Sequence, residues 1–283
     1  MIIDVHTHAW NAKTDFSRQF TSLLRSAAGI RNDALVSDYA DYRAHAPNQT
    51  ISIVFGGKAR LAGIWVDDQD VARYAAQDPK RLVPFMALDP TQDGWLDEMR
   101  HGRDALGLRG IKLMPMYAGF MPDDSRLDPM WHYAGRHRLP VLLHTGTTIV
   151  PQGPLEMTLP RRLDAVATRF PEVRIILAHL GHPYEGECVA MIRKHPNVYA
   201  DVSALYYRPF QLYQSLMLVQ EYGVWHKLLF GTDYPFTRVN DTIEGLLGLN
   251  AMLEGTALPR LDEKAMRAMI ERDTLRVLQL RRG

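Results

Sequence analysis

The feature that most constrains this chain is a repeated alternation of short apolar runs and longer helical patterns. The runs are Met1–Val5, Ile51–Phe55, Leu82–Leu88, Leu108–Leu113, Pro140–His144, Val173–His179, Val198–Val202 and Lys227–Asp233. Helical patterns follow at Asp70–Gln77, Gly94–Leu106, Asp128–His137, Leu159–Phe170, Glu185–Lys194 and Phe210–Tyr222, and then at Asp241–Glu254 and Asp262–Leu278. Runs that are continuously apolar, instead of alternating, belong to strands buried on both faces, which is the habit of a parallel sheet. Eight such units within 283 residues predict an α/β fold, a (β/α)8 TIM barrel in one domain over 1–283. A doubly wound open sheet is the rival. It would favour a glycine-rich GxGxxG turn after the first strand, where His6-Thr7-His8 stands instead. One stretch breaks the rhythm, the polar excursion from about 11 to 48, with a helical patch at Phe16–Ala28. It reads either as a functional lid or as a surface insertion over the barrel end.

Composition excludes several classes of function. Of the residues 46% are hydrophobic and 23% charged, with 33 basic and 32 acidic side chains and a net charge of +1. That balance offers no electrostatic footprint for nucleic acid or for an anionic membrane. No apolar run is long enough to span a bilayer, and the N-terminus lacks a signal-peptide pattern. A single cysteine, Cys188, permits no intrachain disulfide. The expectation is a cytoplasmic protein acting on a small molecule.

The chemistry collects where the runs end. In a strand, residues i and i+2 share a face, so His6 and His8 project together from the end of the first. Paired neutral imidazoles are half of a divalent-metal site; alone, the pair could be chance. The fifth run ends in His144-Thr145-Gly146, the sixth in His179-Leu180-Gly181-His182 and the eighth in Thr232-Asp233-Tyr234-Pro235, while Lys112 stands near the end of the fourth. Barrel active sites sit at the C-terminal ends of the strands, so this register points to a metal site. Each residue also has a structural alternative. His144 could be a buried histidine bonded to a carbonyl, Asp233 a turn residue, His182 a loop residue, and Lys112 one half of an ion pair in the barrel mouth. The remaining histidines, at 45, 101, 132, 137, 195 and 226, read as surface residues, and Cys188 as packing.

Taken together, HxH on the first strand, GIKLMP on the fourth, LLHTG on the fifth, LAHLG on the sixth and FGTDYPF on the eighth resemble the amidohydrolase superfamily. The closer resemblance is to its amidohydrolase-related branch, which includes aminocarboxymuconate-semialdehyde and resorcylate-type decarboxylases. The resemblance implies a distorted barrel holding one divalent metal, zinc before manganese or iron. It implies His6, His8, His144 and Asp233 as ligands, with His179 touching the metal's water or the substrate. A metal with an open position brings its water toward neutral pKa, and Asp233 is suited to take that proton. In some amidohydrolases the strand-four lysine is carbamylated. In this branch Lys112 reads instead as a contact to a substrate carboxylate or carbonyl. Met114 stands where many relatives carry a histidine, which leaves that position without an inherited role. Arg109 reads as structural.

Specificity falls to residues near the strand ends. Trp10, Tyr117, His182 and Arg208 are candidate substrate contacts, within a partly aromatic set that also includes Trp65, Phe120, Met121, Tyr206, Tyr207 and Phe236. The first expectation is a metal-dependent hydrolase of an amide, lactone or related carbonyl compound. The alternative is non-oxidative decarboxylation of an aromatic or muconate-like acid in the same site, and a catalytically silent binding barrel is a third. Relatives commonly form homodimers, and the amphipathic pattern at Asp262–Leu278 could pack on the barrel or on a second copy.

Overall fold

In a computed structural model, which describes residues 1–28 and 35–281, eight parallel strands form one sheet in sequence order. They are β1 (Ile3–His8), β2 (Ile51–Phe55), β3 (Leu82–Leu88), β4 (Ile111–Leu113), β5 (Val141–Leu143), β6 (Ile175–Leu177), β7 (Val198–Asp201) and β8 (Leu228–Leu229). The sheet closes on itself. Val5 N donates to Phe230 O at 3.0 Å, Asp233 N to His6 O at 2.8 Å and His8 N to Tyr234 O at 2.8 Å, so β1 is seamed to the segment leaving β8. This is the (β/α)8 barrel the alternation calls for.

β4 to β8 are shorter than their apolar runs, β2 and β3 match theirs, and β1 runs on past Val5 to His8. The pattern at Leu159–Phe170 resolves into a 3-10 turn, Pro160–Leu163, and a short helix, Asp164–Arg169. The pattern at Asp262–Leu278 breaks between Glu263–Ile270 and Thr274–Val277. An antiparallel ribbon that periodicity did not show pairs Lys58–Ala59 with Ile64–Trp65. It is pinned by buried Lys58, whose Nζ lies 3.0 Å from Asp68 and 3.1 Å from Glu98. His195 is buried beside Asp164 at 2.7 Å, not at the surface as its helix-end position implied.

Two cores hold the barrel. Inside the lumen, Ile3, Val5, Ile53, Phe85, Leu142, Ile176 and Leu229 stack in layers, and Leu275 and Leu278 close the bottom. Outside, Ile111, Leu113, Val141, Leu143, Ile175, Leu177, Val198 and Ala200 face the helices. On β4 to β7 the alternation therefore sends Lys112, Leu142, Ile176 and Tyr199 or Asp201 inward.

On β1 the same alternation would fail. Ile3 and Val5 face the lumen, so an unbroken strand would turn His6 and His8 outward. The register against β2 shifts between Asp4 and Thr7, which pair with Ser52 and Val54, so one extra residue is accommodated. This bulge reverses the phase and re-aims both histidines inward, as bulges beside active sites do.

The excursion after β1 crosses the barrel mouth. Helix Arg18–Ala28 lies over it, and helix Tyr39–Ala44, capped by Asp38, brings the chain back. Residues 29–34 of the expected insertion lie outside the described residues. No helix among the described residues is long and apolar enough to cross a membrane.

Candidate metal centre

Beginning from the bulge, His6 and His8 enter the upper lumen with ring centroids 5.3 Å apart. The inward position opposite is Gly231. A Cβ there would stand 3.1 Å from His6 Cβ, so the missing side chain gives the imidazole its room. His179 follows β6 and Asp233 follows β8, both with left-handed backbones at φ 59° and φ 69°. Non-glycine residues rarely adopt that conformation, and it persists only where surrounding bonds fix it.

His6, His179 and Asp233 each offer a ligand atom, and these atoms lie within 4.8 Å of one another. His6 Nε2 is 3.3 Å, and His8 Nε2 3.0 Å, from Asp233 Oδ1. On His6 and His179 the other ring nitrogen is tied back. His6 Nδ1 lies 2.9 Å from Asp201 Oδ2, and His179 Nδ1 lies 2.7 Å from Ser203 Oγ. Asp201 Oδ1 in turn accepts from His179 N at 3.0 Å, from Ser203 N at 3.1 Å and from the Ser203 hydroxyl. An Nδ1–H held by a carboxylate leaves the Nε2 lone pair free for a cation.

Asp201 and Ser203 were missed in the sequence. Asp201 carried the available signal, because it closes the seventh strand as the other polar residues close theirs. His8 Nδ1 is buried with no hydrogen-bond partner among the described residues, which a purely structural histidine would avoid.

Burial sets the protonation. His6, His8 and His179 are held well below the ordinary histidine range by desolvation, with the Lys112 ammonium adding to the effect. His144 is pushed down to about 3 and His182 to about 4 for the same first cause. Neutral imidazoles are the form that binds a metal. Desolvation raises the Asp233 carboxyl to about 7 and lowers Lys112 to about 8. Lys112 Nζ sits 3.4 Å from His6 Nε2 and 4.6 Å from the Phe55 ring centroid, with no ion-pair contact among the described residues. The donor set thus fits a divalent cation: neutral nitrogens and one carboxylate converge, and among the described residues no lysine or arginine is bonded to that carboxylate.

These groups line a cavity of about 70 Å3 together with Trp10, Phe20, Leu24, Ile64, Met114, Tyr117, His144 and Phe236. Trp10 stacks on His8 at 3.7 Å, and Tyr117 meets His144 edge-on at 4.9 Å. His144 is partly exposed, with Nε2 2.9 Å from Thr147 O. His182 is buried behind His179, with centroids 6.2 Å apart, and does not line the cavity. Arg208 is exposed, lies over the Tyr207 ring and donates to Ala204 O at 3.2 Å. Trp65, Phe120, Met121, Tyr206 and Tyr207 also lie outside the lining. Phe20 and Leu24, four residues apart on the helix over the mouth, were not anticipated as lining residues.

A barrel with histidines and an aspartate gathered at the C-terminal ends of its strands defines a class of metal-site enzyme folds. The amidohydrolase family model matches residues 3–278, and the chain belongs to that family. No curated protein matches its sequence. Among solved structures it is similar to an uncharacterized TIM-barrel protein from Bordetella bronchiseptica, with 19% identity, TM-score 0.69 and 98% of each chain covered. It is also similar to a dihydroxybenzoic acid decarboxylase from Polaromonas sp. JS666, solved with bound manganese and the inhibitor 2-nitroresorcinol, with 16% identity, TM-score 0.64 and 100% and 98% coverage. A third similar structure is a probable 2-pyrone-4,6-dicarboxylic acid hydrolase from Acinetobacter baumannii with citric acid bound, with 15% identity, TM-score 0.62 and 99% of each chain covered.

Proposed function

We propose that this chain is a metal-dependent enzyme that decarboxylates a compact aromatic monocarboxylic acid. The observation that carries the reading is the cavity itself. Its polar end holds imidazoles, one carboxylate and one ammonium, and its walls are apolar. A dicarboxylate would call for a second cation, and among the described residues no arginine lines the cavity. A weakly solvated, apolar-walled chamber also favours losing a carboxylate as neutral carbon dioxide.

His6, His8 and Asp233 would hold one divalent cation, zinc or manganese, with His144 and His179 flanking it. When bound, that cation supplies Lewis acidity toward the substrate's oxygens. Lys112 pairs with the anionic group. Trp10, Phe20, Leu24 and Phe236 hold the ring and exclude water. The bond from ring carbon to carboxylate breaks, and the electron pair stays on the carbon as carbon dioxide leaves. That carbon then takes a proton from Asp233 or His179, which water restores. Hydrolysis of a lactone or amide is the second reading. It is favoured by the position of Asp233 beside two histidines, where a carboxylate can take a proton from an attacking water.

The test is elemental analysis of the purified protein beside a His6→Ala/His8→Ala variant, followed by carbon dioxide release from 2-hydroxybenzoate-type acids. About one metal per chain, lost in the variant, and gas release from monocarboxylates are expected. Equal metal in both proteins would refute the site. Ring opening of a lactone without gas release would establish hydrolysis instead.

A further inference from the structure

Asp4 is a buried carboxylate that the proposed chemistry does not use. It precedes the β1 bulge and faces away from the lumen, wholly buried, with no ion-pair partner among the described residues. Instead it collects neutral donors. Asp4 Oδ1 accepts from His6 N at 3.2 Å and Thr232 N at 3.0 Å. Its Oδ2 accepts from Thr232 Oγ at 2.7 Å and Tyr42 OH at 3.1 Å. Ser52 Oγ donates onward to Tyr42 OH at 2.6 Å. A buried charge without a counter-ion is expensive, and an apolar side chain would serve packing better.

The groups Asp4 holds explain its place. His6 N belongs to the residue whose side chain enters the donor cluster, and Thr232 immediately precedes Asp233. Thr232 Oγ also accepts from Tyr234 N at 3.1 Å, so the strained left-handed residue between them is clamped on both sides. Tyr42 lies on the helix Tyr39–Ala44 that returns from the excursion, and that helix grips the far side as well. Tyr234 OH donates to Asp38 O at 2.7 Å, and the Tyr42 and Tyr234 rings meet edge-on at 5.1 Å.

We infer that Asp4 and Tyr42 are positioning residues. They set the spacing between the β1 histidines and Asp233, and they make docking of the 35–48 return segment part of assembling the metal centre. The inference rests on the metal-site reading above. It assigns Asp4 and Tyr42 no contact with the metal or the substrate.

The test is cobalt(II) binding, measured by chelator competition and by the visible spectrum of the cobalt-loaded protein, for wild type, Tyr42→Phe, Asp4→Asn and Tyr39→Phe. Tyr42→Phe keeps the ring and loses only the hydroxyl. Tyr39→Phe makes the same change on the same helix, where the hydroxyl donates to Asp78 at 2.7 Å, away from Asp4. Tyr42→Phe and Asp4→Asn are expected to bind cobalt about tenfold or more weakly with an altered spectrum, and Tyr39→Phe to match wild type. If Asp4→Asn does not fold, Tyr42→Phe decides alone. Wild-type affinity and spectrum in Tyr42→Phe overturn the inference, as does equal weakening in Tyr39→Phe, which would mark general loosening. A wild type that binds no cobalt overturns the metal reading and this inference together, whereas wild-type binding with unaffected variants overturns this inference alone.

Discussion

Replacing Asp201 with asparagine changes one atom and is expected to disable His6. The backbone N–H groups of His179 and Ser203 both point at Asp201 Oδ1, at 3.0 and 3.1 Å. Neither can turn into an acceptor, so the amide must keep its oxygen there. Its NH2 then replaces the oxygen that lies 2.9 Å from His6 Nδ1. To avoid two facing donors, His6 must move its proton to Nε2, the nitrogen that points at Asp233. The lone pair intended for a cation is lost unless the protein gives up that hydrogen bond. Losing the carboxylate that holds a ligand histidine's far nitrogen weakens metal affinity about 10- to 100-fold, or about 1.4–2.7 kcal/mol. The assay is chelator competition with zinc or manganese, paired with nitrogen-15 NMR of the His6 tautomer in the metal-free protein. Folding should survive, because size and most hydrogen bonds are kept. Wild-type affinity with the His6 proton still on Nδ1 would refute the reasoning.

Two further outcomes follow from the same geometry. Gly146→Ala should destabilise the protein by about 2–4 kcal/mol in thermal or urea unfolding, since its φ is +86° and a Cβ would meet His182 O at 2.1 Å. Lys112→Met should raise the stability of the metal-free protein at pH 7 and flatten its pH dependence. Burial lowers the folded pKa of Lys112 to about 8, below the unfolded value of about 10.4. The unfolded state therefore binds more protons between those values, so wild-type stability rises with pH across that window, by at most about 3 kcal/mol. A variant with the same slope between pH 8 and 10 would show that another group is responsible.

Much of the fold was legible because it is encoded locally. Strands buried on both faces read as continuous apolar runs, and the first, fifth, sixth and eighth end in His8, His144, His179 and Asp233. The lining role of Trp10 and Tyr117 was also open to inspection, since both follow strand ends closely. Arg208 shows the limit of that reasoning. It too lies soon after a strand, yet Tyr207 and Ala204 O hold it at the surface. Phe20 and Leu24 looked like the apolar face of an ordinary surface helix, and only the path of the excursion brings them over the mouth.

By itself, the sequence determined the order of strands and helices, the barrel class and the residue types available at its mouth. Each of these follows from burial patterns a few residues long. Tertiary structure alone decided which way those residues point and what holds them. The bulge that turns His6 and His8 inward exists only in register with β2. Asp201 reaches His6 across 195 positions of chain, and Asp4 reaches Thr232 across 228. Such contacts form when the barrel closes β8 onto β1, and no local periodicity records which distant partner closure will supply.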